Sequence, residues 1–166
     1  VGEMQIRDPA DGVTVLPEGA VGELWVKGPQ VVKLYWNKPE ATAKTIVDGW
    51  LLTGDVGTQD EDGDYFIVDR VKDMINSAGN NIYPTEIENH LYSHPSILEV
   101  AVFGMHDDVK RECVKAAIVL QPDATLEPED VIAFCRTKMA KYKVPQQIQF
   151  VDELPKSPTG KILKRV

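Results

Sequence analysis

The change of pattern at Asp69-Arg70-Val71-Lys72-Asp73 constrains this chain more than any other stretch. Before it lie short apolar runs with partial period-2 alternation: Gly2 to Arg7, Gly12 to Leu16 and Gly22 to Gly28. Turn formers separate them, at Asp8-Pro9, Pro17-Glu18-Gly19 and Gly28-Pro29, so this part reads as strands and tight turns. After it, helical and strand patterns alternate. The expected fold is α+β: a β-rich subdomain over 1–70, forming part of a barrel, followed by a small α+β domain over 71–166 with a central sheet and flanking helices. The charged stretch between them reads as a hinge.

Within the first part, Pro39 to Thr45 predicts one short helix with Asn37 as its cap. Asp48 to Gly57 predicts a strand carrying a glycine-flanked Asp55. Asp60-Glu61-Asp62-Gly63-Asp64 is an acidic turn leading into Tyr65 to Val68, which signals a hairpin. Its carboxylates invite a calcium reading, but the glycine falls too early for an EF-hand loop and no Glu closes it.

In the second part, Met74 to Asn76 predicts a strand and Ser77 to Asn80 a turn. Pro84 to Leu91 predicts a helix, with Ile87 and Leu91 spaced i, i+4. His90 and His94 share that spacing. No Glu follows His90 as a metalloprotease helix requires, and Pro95 stops the helix, so a solvated helix end is expected. Ile97 to Val102 and Lys115 to Leu120 read as buried strands, and Ile148 to Val151 as a further short one. Pro128 to Met139 reads as an amphipathic helix facing inward with Val131, Ile132, Phe134, Cys135 and Met139. Leu154 to Arg165 reads as a Pro- and Gly-punctuated loop entering a short helix.

Charge bounds the partners. A formal net charge of -8 argues against nucleic acid, which needs clustered basic residues. From Lys141 onward the balance reverses: Lys141, Lys143, Lys156, Lys161, Lys164 and Arg165 outnumber Asp152 and Glu153. That suits a small anionic ligand. The apolar runs are far shorter than a membrane span, and no secretory leader opens the chain. A first residue of Val suggests a fragment. Cys113 and Cys135, both in apolar patterns, read as reduced core thiols of a cytoplasmic protein.

Two stretches carry chemistry. Gly160-Lys161 resembles the end of a phosphate-binding loop, yet Pro155 stands where its first Gly belongs and Ile162 replaces its Ser or Thr. What remains is a lysine on a glycine turn, a mobile point charge able to neutralise a developing anion. Asp55, at a strand end, can accept two hydrogen bonds from a ribose diol, with the donor fork of Arg70 in support.

Gly22 to Pro29, Tyr35-Trp36-Asn37, Gly49 to Asp55, Asp69-Arg70 with Lys72-Asp73, Ser77 to Pro84 with Glu86 and Glu88, Tyr142 to Pro145, and Pro155 to Lys161 occur in that order. In this series the chain resembles the C-terminal third of the adenylate-forming enzymes, with a flavour of fatty-acyl- or aryl-acid-CoA ligases. The resemblance implies that 1–70 ends the large adenylation domain, and that 71–166 is the small mobile C-terminal domain. Asp55 and Arg70 would then bind nucleotide, Lys72 would be the hinge, and Lys161 would be the catalytic lysine of adenylation. Ser77, Ala78 and Gly79 would line the CoA arm, where only Gly lets a ligand close to the backbone. ATP or AMP with Mg2+, CoA and a small carboxylic acid are the implied partners. The phosphate loop, the magnesium-binding Glu motif and the acid pocket are expected N-terminal to Val1, and no metal site is expected within these residues. The fragment alone is expected to be inactive. A carrier-protein phosphopantetheine as acceptor and a non-catalytic nucleotide-binding lobe are the alternatives. Val32-Lys33-Leu34-Tyr35 lacks the family's usual Gly before Tyr, and Ala78 and Asn80 replace its commoner Gly and Glu.

Overall fold

The computed structural model describes residues 2–164, and the chain divides into two compact units, Val1–Lys72 and Asp73–Val166. Val1 and Arg165, both used in the reading above, lie outside the described residues.

The first unit contains β1 (Glu3–Arg7), β2 (Gly22–Lys27), α1 (Pro39–Thr45), β3 (Ile46–Val47), β4 (Trp50–Gln59) and β5 (Tyr65–Arg70). All five strands join one antiparallel sheet built on β4. Leu51 faces Val26 of β2 on one side and Ile46 of β3 on the other, while Val56 faces Glu23 of β2 and Asp69 of β5. Both edges of β4 are therefore paired, β3 and β5 sharing one of them. β1 adds outside β2, and the Tyr65 hydroxyl donates to the Met4 carbonyl at 2.9 Å, linking β5 to β1. The strands thus form an open, curled sheet. Ile6, Leu24, Trp25, Trp50 and Val56 are its buried apolar side chains.

Two local expectations fail in this unit. Gly12 to Leu16 is not a strand and makes only a single bridge, Val15 to Arg7. The Asp11 carboxylate takes the Val13 and Thr14 amides at 2.8 and 2.9 Å and the Thr14 hydroxyl at 2.6 Å, so the local turn wins over a ladder. Those bonds, the Thr14 hydroxyl first, hold the Asp11 carboxyl below the usual carboxylate range. Asn37 does not cap α1 either. Lys38 stands at that position without a side-chain bond, and Asn37 adopts φ +54°. The Asp60–Asp64 turn forms as read: Asp60 Oδ1 accepts the Asp62 and Asp64 amides at 3.0 and 2.9 Å, and Gly63 takes φ +88°.

The second unit contains β6 (Ile75–Ser77), β7 (Asn80–Ile82), α2 (Pro84–Tyr92), β8 (Ile97–Asp107), β9 (Arg111–Leu120), α3 (Pro128–Arg136) and β10 (Gln147–Phe150). Its sheet runs β10-β9-β6-β7, with β8 also on β9. Every pair is antiparallel except β10 with β9, which is parallel. α2 packs on β8 and α3, and α3 on β10. Ile75, Ile82, Ile87, Leu91, Ile118 and Val131 are essentially inaccessible, and each such Ile or Leu contributes roughly 1.5–3 kcal/mol by leaving water.

The strands around the hairpin are longer than expected. β8 continues past Val102 to Asp107 because β9 pairs with it down to Asp107 and Arg111. α3 stops at Arg136, short of Met139. The Thr137 hydroxyl and amide both bond the Phe134 carbonyl there, which ends the helical ladder. His90 and His94 are not a solvated helix end. His90 stacks on Phe134 with ring centroids 4.5 Å apart, and His94 meets the same ring edge-on at 4.9 Å. The chain after Leu154 is a loop with no helix among residues 155–164. Among the described residues no helix is long and apolar enough to cross a membrane.

Candidate functional site

The residues read as functional fall in two places in the first unit and two in the second. Asp55 and Arg70 are direct cross-strand partners on β4 and β5. Arg70 Nε donates to Asp55 Oδ1 at 2.8 Å, with half of the Arg70 side chain and a third of the Asp55 side chain exposed. At that exposure the pair adds about 0–1 kcal/mol of stability. Its chemical effect is orientation: one oxygen is engaged, and Oδ2 remains for a second partner. Lys72 is exposed in a 3-10 turn, Val71–Asp73, where the two units part.

A carboxylate that sequence reading passed over holds this spot in place. Glu23 is 9% exposed. Its Oε1 accepts the Gly54 amide and its Oε2 the Trp25 indole N–H, both at 3.1 Å. The Thr53 hydroxyl donates to the Leu24 carbonyl at 2.7 Å and accepts the Asp55 amide at 3.1 Å. The register shift between β2 and β4, where Thr53, Gly54 and Asp55 bulge opposite Leu24, lets these groups converge. The only hint in the sequence is an acid inside the apolar run Gly22-Glu23-Leu24-Trp25.

In the second unit, Ser77, Ala78 and Gly79 form the tip of the β6–β7 hairpin. Ala78 and Gly79 take φ +51° and +82°, the pair of positive angles that a two-residue type I′ turn demands. The turn is fastened to the β8–β9 tip. Ser77 pairs with Arg111, the Ala78 amide donates to the Lys110 carbonyl at 2.8 Å, and the Asn76 amide donates to Glu112 Oε2 at 2.7 Å. A Cβ on Gly79 would meet nothing within 4 Å, so that residue faces open space.

Beside this turn lies a cavity of about 570 Å³, lined by Ser77, Ala78 and Asn80 and by the cations Lys110, Arg136 and Lys141. No acidic residue lines it. Neither Arg136 nor Lys141 forms an ion pair with a described residue. Arg136 ends α3 and Lys141 stands in the 3-10 turn just after it, while Lys110 comes from the β8–β9 turn, so it is the fold that adds Lys110 to the other two.

Lys161 is exposed on the last loop. Gly160 takes φ +81°. The Ser157 amide donates to the Lys161 carbonyl at 2.8 Å, and the Lys161 amide donates to Ser157 Oγ at 3.2 Å. The amine is therefore presented by a closed turn, while its own carbon stem remains free. Among the described residues no group of three His, Cys, Asp or Glu side chains could hold a metal ion, so no residue here is assigned to magnesium. Cys113 and Cys135 are buried and unbridged, and burial pushes the Cys135 thiol up to about 11.

Residues 86–161 match the model of the AMP-binding enzyme C-terminal domain. Over 144 residues the chain is 52% identical to the long-chain-fatty-acid–CoA ligase of Bacillus subtilis (strain 168), covering 87% of this chain and 26% of that protein. The structure superposes on ATP-bound MatB from Rhodopseudomonas palustris with a TM-score of 0.87 at 37% identity, covering 97% of this chain and 32% of that one. It also matches o-succinylbenzoate CoA synthetase from Bacillus subtilis in complex with the acyl-adenylate intermediate OSB-AMP, with a TM-score of 0.84 at 36% identity, covering 98% and 33%. The chain thus spans about a quarter to a third of the length of these relatives.

Proposed function

This chain belongs to the adenylate-forming, or AMP-binding, enzyme superfamily, where it matches the C-terminal part of acyl-CoA synthetases, and from that premise we propose that it serves an ATP-dependent carboxylate–CoA ligase. In the first step a carboxylate oxygen attacks the α-phosphorus of ATP, the bond to the β-phosphate oxygen breaks, and pyrophosphate leaves. In the second the CoA sulfur attacks the acyl carbonyl, the thiol proton is lost, and AMP departs with the electrons of the acyl–oxygen bond.

The observation that carries the reading is the Asp55–Arg70 pair. Arg70 fixes one carboxylate oxygen at 2.8 Å, which leaves the other to accept from a vicinal diol, the group that an ATP ribose presents. Lys161 then supplies positive charge where the carboxylate meets the phosphate, and a preorganised cation there is worth most in the transition state. Ser77, Ala78 and Gly79 form the wall along which the thiol arm approaches. The cation-lined cavity beside them favours free CoA as acceptor, because its nucleotide end carries phosphates that a carrier-bound arm lacks. Lys72 is the pivot about which the unit after it is repositioned between the two steps, the unit before it being the end of the large domain. The buried, unbridged thiols suit a reducing compartment, and the reading places the enzyme in the cytoplasm, acting on a fatty or aryl acid. Magnesium has no ligand set among the described residues, and no step here passes through it.

The decisive experiment is Lys161→Ala in the intact enzyme that carries this chain. Acyl-adenylate formation is expected to fall at least a hundredfold, while thioester formation from supplied acyl-adenylate stays within a few-fold of wild type. Equal loss of both steps, or of neither, refutes the assignment. The 166 residues by themselves are expected to yield no product from ATP, acid and CoA.

A further inference from the structure

Lys161 stands on a loop whose attachment is unusual. From Pro155 to Leu163 the chain doubles back on itself: Lys156 bridges to Ile162, and the Leu163 amide donates to the Pro155 carbonyl at 2.8 Å. The tip is thereby stiff, but a stiff tip can still tilt as a whole. Leu154 is buried, and Ile162 packs against the small cluster of Ala101, Ala117, Val119 and Leu154. Next to these contacts the loop does not rest on solid protein. A cavity of about 570 Å³ lies there, bordered by Phe103, Met105, Glu112, Pro155, Leu163 and Lys164. The cavity reaches in to Ala101 and Leu154 of that same cluster, so the apolar packing beneath the base of the loop is incomplete.

Two ion pairs tie the loop down. Lys156 Nζ meets Glu99 Oε1 at 2.6 Å, with 43% of the lysine side chain exposed, which makes it the weaker tie in water. Lys164 Nζ meets Glu88 Oε1 at 3.0 Å, with side-chain exposures of only 20% and 11%. Glu88 belongs to α2, and the same Oε1 accepts the Val102 amide of β8 at 2.9 Å. One buried carboxylate thus joins α2, β8 and the end of the Lys161 loop. Lys164 follows Lys161 by three positions and lines the cavity at the base of the loop.

We propose that Lys164 is a positioning residue for Lys161, its ion pair with Glu88 setting the tilt at which the loop presents the Lys161 amine. The proposal rests on the reading that Lys161 serves adenylation. A long-stemmed lysine can search for its target, but effective molarity falls steeply when the base of the stem is misplaced.

The test uses Lys164→Met, Lys164→Arg and Glu88→Gln in the intact enzyme, with Lys161→Ala as reference. Lys164→Met keeps the length and apolar stem of the side chain and removes its charge. Glu88→Gln keeps an oxygen for the Val102 amide and removes the ion pair. With either, kcat for acyl-adenylate formation is expected to fall about tenfold or more with KM for ATP within twofold. Thioester formation from supplied acyl-adenylate should stay within twofold, and Lys164→Arg should recover most of the rate. Hydrogen exchange at residues 156–163 should quicken at least tenfold in Lys164→Met while α2 amides hold, a readout that needs no turnover. Unchanged adenylation in Lys164→Met, or equal loss in both half-reactions, overturns the proposal. So does unchanged exchange in the loop. Should Lys161→Ala itself adenylate normally, the reading beneath the proposal falls, and the proposal with it.

Discussion

Glu23 accepts the Gly54 amide at 3.1 Å, so a buried carboxylate of β2 sets the backbone from which the neighbouring Asp55 projects. The same group receives the Trp25 indole through its other oxygen. A glutamine there has a single acceptor oxygen for two donors and would turn its amide N–H groups toward one of them. Glu23→Gln is expected to cost about 1–3 kcal/mol in urea unfolding of this chain. In the intact enzyme it should also raise KM for ATP, whereas Arg70→Ala should change the stability of this chain by no more than about 1 kcal/mol, since the Arg70 pair is exposed.

Ala78 occupies a left-handed conformation at φ +51°, which costs a residue with a Cβ about 1–2 kcal/mol. Ala78→Gly relieves that strain and adds freedom to the unfolded chain, two effects that partly cancel. A net gain of about 0.5–1 kcal/mol is expected in thermal unfolding. Ala78→Val should lose stability instead, because β-branching makes the same angle harder to hold.

The cavity lined by Lys110, Arg136 and Lys141 makes a prediction about the acceptor. Replacing Arg136 and Lys141 together by Gln is expected to raise KM for CoA about tenfold and to flatten its dependence on salt. Pantetheine, which has the thiol arm without the nucleotide, should be used equally well by both proteins. If CoA and pantetheine suffer alike, the cations act on folding rather than on phosphate.

Asp107 Oδ1 accepts the Lys110 and Val109 amides at 2.8 and 3.0 Å. Those bonds, Lys110 first, hold its carboxyl below the usual range. The folded value lies beneath the unfolded one, so the stabilisation is complete above the unfolded pKa of about 3.9 and is lost as pH falls through the folded value. Since the Ala78 amide bonds the Lys110 carbonyl, acid should loosen the β8–β9 tip and the Ala78 turn together. Exchange protection relative to the unfolded chain at Val109, Lys110 and Ala78, followed from pH 5 downward, should fall in step, and Asp107→Asn should show reduced protection already at pH 5.

What could be read from sequence was whatever depends on near neighbours. The Ile87 and Leu91 spacing foretold the buried face of α2, and the Asp60 to Asp64 run foretold a turn because its bonds close within five residues. Gly12 to Leu16 misled because alternation without a partner strand is only a pattern, and Asp11 offered its backbone a nearer alternative. The turn from Ser77 to Asn80 was read, but β7 after it was missed, because Asn80-Asn81-Ile82 is too short and polar to show alternation. The extension of β8 through Gly104 and His106 has no apolar rhythm and exists because β9 lies alongside. The contact of Arg70 with Asp55 was legible. Glu23 was not, since its partner Gly54 is thirty-one residues away, and neither was Glu88, whose partners Val102 and Lys164 arrive from other elements.

Val56 of β4 is held from both flanks, by Glu23 of β2 and Asp69 of β5, and this limits how such a chain can vary. A residue inserted or deleted at Asp55 or Val56 would part Asp55 from Arg70 and Val56 from Glu23 and Asp69 in one event. Length changes are less disruptive in the stretch numbered 28–38, which lies outside the named strands.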